Sequence, residues 1–184
     1  MKIFIQLLAL CIFISCNNES NKTEQSSSEK TYFDLAKAVQ NDISTNSKNK
    51  CGEEKTVLIN VINETKKSDT VDWEKELQVL LDCDINKPSW KGKFDTQILD
   101  DRQKYVYTSN SAKIPIRKMI VNYEQKSGKI ISIAIEKKIS TILFSNEQQI
   151  TYFPEKSFKI NARQRAFFMK DFNSEVEIKY LCKN

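Results

Sequence analysis

The most reactive side chains in this sequence are its cysteines and its neighbouring carboxylates. The chain of 184 residues contains 5 Cys, 24 Asp and Glu, and no His. Without an imidazole, the sequence can form neither a Ser-His-Asp triad, nor a Cys-His pair, nor a His metal site. Its 3 glycines are too few and too scattered for a Walker loop or a GxGxxG motif. We therefore expect no cofactor and none of these enzyme classes.

Acidic pairs occur at Asp82/Asp84 and at Asp100-Asp101. A glycosidase needs two carboxylates that face each other across a cleft. Both pairs are local in sequence, and the second lies at a predicted turn, where Asp is common. We interpret the chain as a protein without enzymatic activity. The competing hypothesis, a hydrolase that uses carboxylates alone, requires two carboxylates from different strands in one cleft.

The N-terminus is typical of a bacterial export signal, which we assign to residues 1–15. Lys2 supplies the positive charge, and the apolar stretch Ile3–Ile14 is too short to span a membrane. The segment Phe13–Cys16 is similar to a lipobox, in which a lipoprotein signal peptidase cleaves before a diacylglyceryl cysteine. Cys16 is therefore the predicted lipidation site. An ordinary secretory signal with an incidental cysteine is the competing interpretation.

Residues 16–29 form the predicted lipidated cysteine and a polar, low-complexity tether. This order predicts a lipid-anchored protein of the outer membrane, with residues 30–184 as a single domain. The acidic residues that follow the cysteine closely are Glu19 and Glu24 alone. The sequence therefore leaves open whether the domain faces the periplasm or the cell surface.

Charge is unevenly distributed along the chain. Residues 16–90 contain 10 Lys and Arg against 14 Asp and Glu, whereas residues 91–184 contain 18 against 10. A basic half can attract an acidic partner or an anionic surface, although lysines on strands also protect sheet edges. Nucleic acid is not an expected partner of an exported, tethered protein.

Two segments have helical periodicity. Tyr32–Asn46 carries apolar residues at spacings of three and four, with Thr31 and Asp34 as a possible capping box. Asp72–Cys83 places Trp73 and three leucines on one side, with Thr70 or Asp72 as its cap.

Short strands with two-residue alternation dominate the rest of the domain. The first predicted strand is Thr56–Asn63, followed by a polar turn at Glu64–Thr70. The other strand candidates lie at 93–99, 103–109, 115–124, 129–137, 140–145, 148–153, 158–163 and 175–182. The predicted breaks between strands are Asp100-Asp101, Ser109–Lys113, Lys126–Gly128, Ser145-Asn146 and Pro154–Lys156. Regular short strands with tight breaks predict an antiparallel meander with one buried face. We therefore predict an α+β fold with two N-terminal helices packed on a twisted antiparallel meander sheet, which could curve into a half-barrel.

The stretch Asp84–Gly92, together with Asp72–Leu77, Lys113–Lys118 and Tyr152–Pro154, resembles a family of uncharacterised lipoproteins of Bacteroidota. The similarity covers roughly residues 30–184, and its most specific part is the Asp-Ile-Asn-Lys-Pro-x-Trp-Lys-Gly motif. The resemblance implies a compartment and a class of protein, but no activity. The pattern of sheet and helices is also similar to periplasmic lipoprotein carriers, which hold acyl chains.

Three cysteines remain in the predicted domain, and export favours disulfides. Cys51 and Cys83 flank the strand between the helices and are the predicted pair. Cys182 continues an apolar strand face and is expected to be buried and inert. Asp69-Thr70-Val71 also matches a short O-glycosylation pattern, although Thr70 can equally cap a helix.

Aromatic residues suggest a binding surface. Those on the sheet, together with Trp90, would line an apolar groove if the helices leave part of the sheet uncovered; the candidates are Trp90, Tyr105, Tyr107, Tyr123 and Tyr152. Structurally, Trp90 and Trp73 would instead fill the junction between helices and sheet. The sequence thus predicts an anchored binding or scaffolding protein with an unknown protein partner. The alternative is a carrier of a lipid or another apolar ligand.

Overall fold

The computed structural model describes residues 31–168 and 170–182. The predicted signal peptide, Cys16 and the tether lie outside these residues. The described chain contains two α-helices and a nine-stranded, open antiparallel sheet. None of its helices is both long and apolar enough to cross a bilayer.

The helices are α1, Leu35–Lys48, and α2, Trp73–Leu81. Each begins after an aspartate whose side chain accepts a hydrogen bond from the backbone three residues later: Asp34 from Lys37, and Asp72 from Lys75. Both predicted helices are present, but α1 begins three residues later and ends two residues later than predicted, and α2 is shorter at both ends. They are not both N-terminal to the sheet, because α2 follows the first two strands. A short 3₁₀ turn, Pro88–Trp90, comes after α2.

The nine strands are β1 Gly52–Ile59, β2 Ile62–Ser68, β3 Phe94–Leu99, β4 Lys104–Ser109, β5 Ile116–Tyr123, β6 Ile130–Ser140, β7 Phe144–Phe153, β8 Ser157–Ala166 and β9 Phe172–Leu181. Their order in the sheet is β2-β1-β9-β8-β7-β6-β5-β4-β3. Strands β3 to β9 therefore form the predicted meander. The N-terminal hairpin β1–β2 extends the sheet beyond β9.

Two predicted boundaries in the sheet are wrong. The run Thr56–Asn63 is not one strand, since the chain reverses at Asn60 and Val61 and then forms β2 where a polar turn was predicted. Asn60 has φ 52°, a left-handed conformation that Asn tolerates better than most residues. The predicted break at Ser145-Asn146 lies inside β7, and the chain turns at residues 141–143 instead.

One cluster of buried residues joins the helices to the sheet. Leu35 and Val39 of α1 and Leu77 and Leu80 of α2 belong to it and are fully buried. The sheet contributes alternate residues of the central strands, which are Met119, Val121, Ile133, Ile135, Ile150, Tyr152, Phe158 and Ile178. This alternation agrees with the predicted two-residue period and leaves the other face of these strands to solvent.

The predicted disulfide is wrong in one partner, because Cys51 is bonded to Cys182 and not to Cys83. Cys51 precedes β1, whose first residue, Gly52, pairs with Leu181 at the end of β9. Pairing of β1 with β9 therefore brings the two sulfurs together across 131 residues of sequence. Cys182 is exposed as a residue, contrary to expectation, whereas Cys83 is the buried free thiol at the end of α2.

Candidate functional site

The five aromatic residues predicted to line a groove do not lie together. Tyr107 and Tyr152 are buried in the core, and Tyr152 has no exposed surface. Trp90 packs on Phe94 with a ring-centroid distance of 6.4 Å, beneath the Lys87 ammonium. The structure therefore supports a packing role for these three side chains. Buried side chains of both helices and of the central strands form one cluster between helices and sheet, and a cavity of about 520 Å³ lies beside α1 at Asn41 and Asp42. The carrier hypothesis stays a prediction from the sequence.

Only Tyr105 and Tyr123 of this set remain together at a surface. Their ring centroids are 5.4 Å apart in an edge-to-face arrangement. They line a cavity of about 480 Å³ beside the turn at Asp101–Gln103 and the loop at Glu124–Gly128. Burial raises the pKa of Tyr123 to about 12, so its phenol stays protonated. The polar rim of this cavity and its two packed rings do not indicate which class of ligand it would bind.

A buried polar cluster connects α1 to the sheet. The carboxylate of Asp42, 3% exposed, accepts hydrogen bonds of 2.7 Å from the Tyr152 hydroxyl and from the Glu155 backbone N–H. Burial raises the pKa of Asp42, and the nearby Glu155 carboxylate raises it further, while the two hydrogen bonds oppose the shift. The cluster fixes the helix to the turn between β7 and β8, which is a structural role.

The most exposed large apolar side chains among the described residues lie at the opposite end of the central strands. Six residues at the tips of three hairpins are between 61% and 98% exposed. We call them the apolar hairpin end; they are Val61, Ile62, Ile142, Leu143, Phe167 and Phe168. Soluble proteins seldom expose so many large apolar side chains together unless the surface binds something.

Hydrogen bonds hold these three hairpins side by side. Phe167 N–H donates to the Leu143 carbonyl oxygen at 3.1 Å, which joins the β8–β9 turn to the β6–β7 turn. Asn60 N–H donates to the Asn173 carbonyl oxygen at 3.0 Å, which joins the β1–β2 turn to β9. The rings of Phe167 and Phe168 pack edge to face at 4.7 Å. The apolar hairpin end is thus one structural feature built from three distant segments.

Charged residues lie close to the apolar side chains, and the β8–β9 turn itself includes Lys170 and Asp171 after its two phenylalanines. Residues 139–146 and 166–168 contain no charge. Behind them, the Asp171 carboxylate accepts hydrogen bonds from Arg163 at 3.2 and 2.7 Å and forms an ion pair with Arg165 at 3.4 Å. These cations hold the pKa of Asp171 below its usual range. Because two arginines share one carboxylate, this region keeps a net positive charge.

A cavity of about 380 Å³ next to this region contains carboxylates from different strands, Glu147 of β7 and Glu175 of β9. Each is paired with a lysine: Glu147 with Lys138 at 2.7 Å, and Glu175 with Lys159 at 2.6 Å. Lys138 holds the pKa of Glu147 below its usual range. A carboxylate hydrolase needs one acid with a raised pKa, whereas the pKa of Glu147 is lowered.

The other reactive groups also have structural partners. The Cys83 thiol donates to the Val79 carbonyl oxygen at 3.3 Å, and burial raises its pKa to about 11. Asp84 accepts hydrogen bonds from the Asn86 backbone N–H and side-chain amide, and Asn86 in turn holds Phe33 and Tyr32. The Asp-Ile-Asn motif therefore fixes the segment that leads into α1.

No family model, no curated protein and no solved structure matches this chain. The resemblance to Bacteroidota lipoproteins consequently stays an expectation from the motif.

The apolar hairpin end was not predicted from the sequence, although two signals were present. The segments Ile142-Leu143-Phe144 and Phe167-Phe168 are apolar, and each follows a strand whose last residues are mostly polar. Large apolar residues are rare at hairpin turns, where small and polar residues are preferred.

Proposed function

We propose that the protein is a non-enzymatic, lipid-anchored protein of the outer membrane that binds a partner through its apolar hairpin end. The single observation that carries the binding role is the group of six exposed apolar side chains on three adjoining hairpins. Exposing them in water is unfavourable, and covering each one contributes on the order of 1 kcal/mol or more. A partner that covers them supplies that stabilisation.

The non-enzymatic part of the proposal is supported by what the reactive groups do. Cys83 is buried and protonated at neutral pH, and the paired carboxylates are hydrogen-bonded within turns or ion-paired with lysines. The Asp100-Asp101 pair lies in a turn in which both residues have positive φ. Each group therefore has a structural explanation.

We also propose a shape for the sheet. We take the sheet to curve around α1 and α2 as a half-barrel, which is supported by the single core cluster shared by both helices and the central strands. This arrangement would leave the hairpin tips projecting beyond the helices, in agreement with their exposure.

The anchor is tested by replacing Cys16 with Ala in the host and fractionating the cells. Without the thiol no diacylglyceryl group can be attached, so the variant should move from the membrane fraction to the soluble envelope fraction. Cys83→Ala is the matched control and should stay with the membrane. A Cys16→Ala protein that sediments with the membrane as fully as the wild type after a high-salt wash, which weakens contacts held by surface charge, would refute the lipid anchor.

A further inference from the structure

We propose that the partner of the apolar hairpin end is an anionic phospholipid bilayer, into whose interface the hairpin tips insert. This inference deepens the proposed binding role and rests on it.

The shape of the hairpin end favours a fluid partner. Its apolar side chains sit on three separate turns, and Val61, Ile142 and Phe168 are each more than 85% exposed. A stable protein interface needs a complementary surface of roughly 800 Å² on each partner. A bilayer accommodates isolated protrusions without such complementarity, because acyl chains and headgroups rearrange around them. Apolar side chains in this setting enter about 5–10 Å into the boundary of headgroups and acyl chains.

The charge behind the tips matches an anionic surface. Residues 137–147 and 163–172 contain five cations, Lys137, Lys138, Arg163, Arg165 and Lys170, and two carboxylates, Glu147 and Asp171. Because these cations lie in the same turns as the apolar side chains or within a few residues of them, they would lie at headgroup depth once the apolar side chains are inserted. Each basic residue near an anionic membrane contributes about 1 kcal/mol of attraction.

The position at which the chain enters the domain also agrees with an orientation in which the hairpin tips face the membrane. The Tyr32 hydroxyl accepts a hydrogen bond of 3.2 Å from the backbone N–H of Phe94, the first residue of β3. Strand pairing places the start of β3 at the same end of the sheet as the turns of the apolar hairpin end. Residues 17–30 reach at most about 50 Å when fully extended, enough to allow the tips and an anchor at Cys16 to contact one membrane.

Depth-dependent fluorescence quenching tests the proposal on the full chain made in its host. Tryptophan is placed at the hairpin end by Ile142→Trp and, in a second variant, Phe168→Trp. Leu99→Trp is the matched control, since Leu99 is exposed and lies at the opposite end of the sheet. Each protein is mixed with excess phosphatidylglycerol–phosphatidylethanolamine vesicles whose acyl chains are brominated or plain. The emission of the wild-type chain is subtracted to remove Trp73 and Trp90.

We expect both hairpin-end tryptophans to shift to shorter wavelength and to lose about half of their emission or more in brominated vesicles. High salt or neutral phosphatidylcholine vesicles should weaken both effects, because screening removes the attraction of the cations. The Leu99→Trp emission should not change. No quenching at either hairpin position, or equal quenching at Leu99, overturns the proposal.

Two further results distinguish a second copy of the chain from a bilayer as the partner and test the lipid anchor by itself. A blue shift that depends on protein concentration and needs no vesicles would show that a second copy covers the tips, which also overturns the proposal. The anchor is tested separately by mass spectrometry of the chain made in its host, which shows whether Cys16 carries acyl groups. A chain without acyl groups whose hairpin tryptophans are still quenched refutes the anchor alone, whereas an acylated chain without quenching overturns the insertion alone.

Discussion

At the residue scale, the unexpected side chain is Asp42. It lies on the same face of α1 as Leu35, Val39 and Asn46, all of which are buried. A carboxylate on a buried helix face is unfavourable unless it is hydrogen-bonded. The Tyr152 hydroxyl and the Glu155 N–H supply those bonds. These two hydrogen bonds make Asp42 a fixed connection between α1 and the sheet.

Asp42 also makes stability depend on pH. Burial raises its pKa in the folded protein above the ordinary value of 3.8, so the folded state holds the proton more tightly than the unfolded state does. The contribution of Asp42 to the free energy of unfolding should therefore fall as pH rises from about 3.8 through the raised pKa. Above that pKa, the loss is complete. Glu53, whose pKa burial also raises, acts in the same direction.

We expect Asp42→Asn to flatten this acidic part of the profile, leaving the share due to Glu53. Urea denaturation at a series of pH values between about 3 and 7 measures the effect. Asp95→Asn, a substitution of an exposed residue on β3, serves as the control and should keep the wild-type slope. An Asp42→Asn profile that parallels the wild type would contradict this interpretation of the buried carboxylate.

The sequence predicted the apolar helix stripe but not the role of Asp42. The spacing of Asp42 from Leu35 and Val39 by itself predicts a position on the buried face of the helix. Its partners could not be identified, because Tyr152 and Glu155 are more than 100 residues away in sequence. The groove prediction failed for the same reason, since Tyr107 and Tyr152 have the types expected of a binding surface but lie in the core.

At the element scale, the important contact is the pairing of β1 with β9. It adds the N-terminal hairpin to the meander and aligns the two ends of the domain. The disulfide Cys51–Cys182 lies immediately beside this pairing. A covalent link between distant residues stabilises mainly by restricting the unfolded chain, and long loops gain the most in that model.

We expect Cys182→Ser to lower the free energy of unfolding by about 2–5 kcal/mol. A reducing agent should lower the stability of the wild type to a similar extent and leave Cys182→Ser unchanged. Cys83→Ser would bury a hydroxyl in place of the thiol, so Cys83→Ala is the better control, and it should retain the full response to reductant. The measurement is denaturant unfolding with and without reductant. A wild-type protein that does not respond to reductant would show that this disulfide contributes no stability.

Local patterns predicted most elements, because periodicity and turn residues are encoded within a few positions. The breaks at Asp100-Asp101, at Lys126–Gly128 and at Pro154–Lys156 are confirmed as turns between strands. The β1–β2 turn was missed because Asn60 and Val61 interrupt an apolar run without a glycine. Local patterns do not show that β1 pairs with β9. Because this pairing brings Cys51 next to Cys182, the disulfide was predicted with the wrong partner.

At the scale of the whole molecule, the two ends of the central strands differ in character. One end carries the disulfide and lies near the buried cluster around Asp42, which holds the helices on the sheet. The other end carries the apolar hairpin end with cations behind it. This division agrees with a protein whose fixed end maintains the fold and whose projecting end makes the contact with its partner.

The central claim is that the apolar hairpin end is the surface in contact with a partner in the cell envelope. Photo-crosslinking in intact envelopes tests it most directly, with benzoylphenylalanine placed at Ile142 or Phe168 and, as the control, at Leu99. The account predicts crosslinks from both hairpin positions and none from Leu99, although all three residues are exposed in the isolated chain. Absence of crosslinks from Ile142 and Phe168, or equal yields from all three positions, would contradict it.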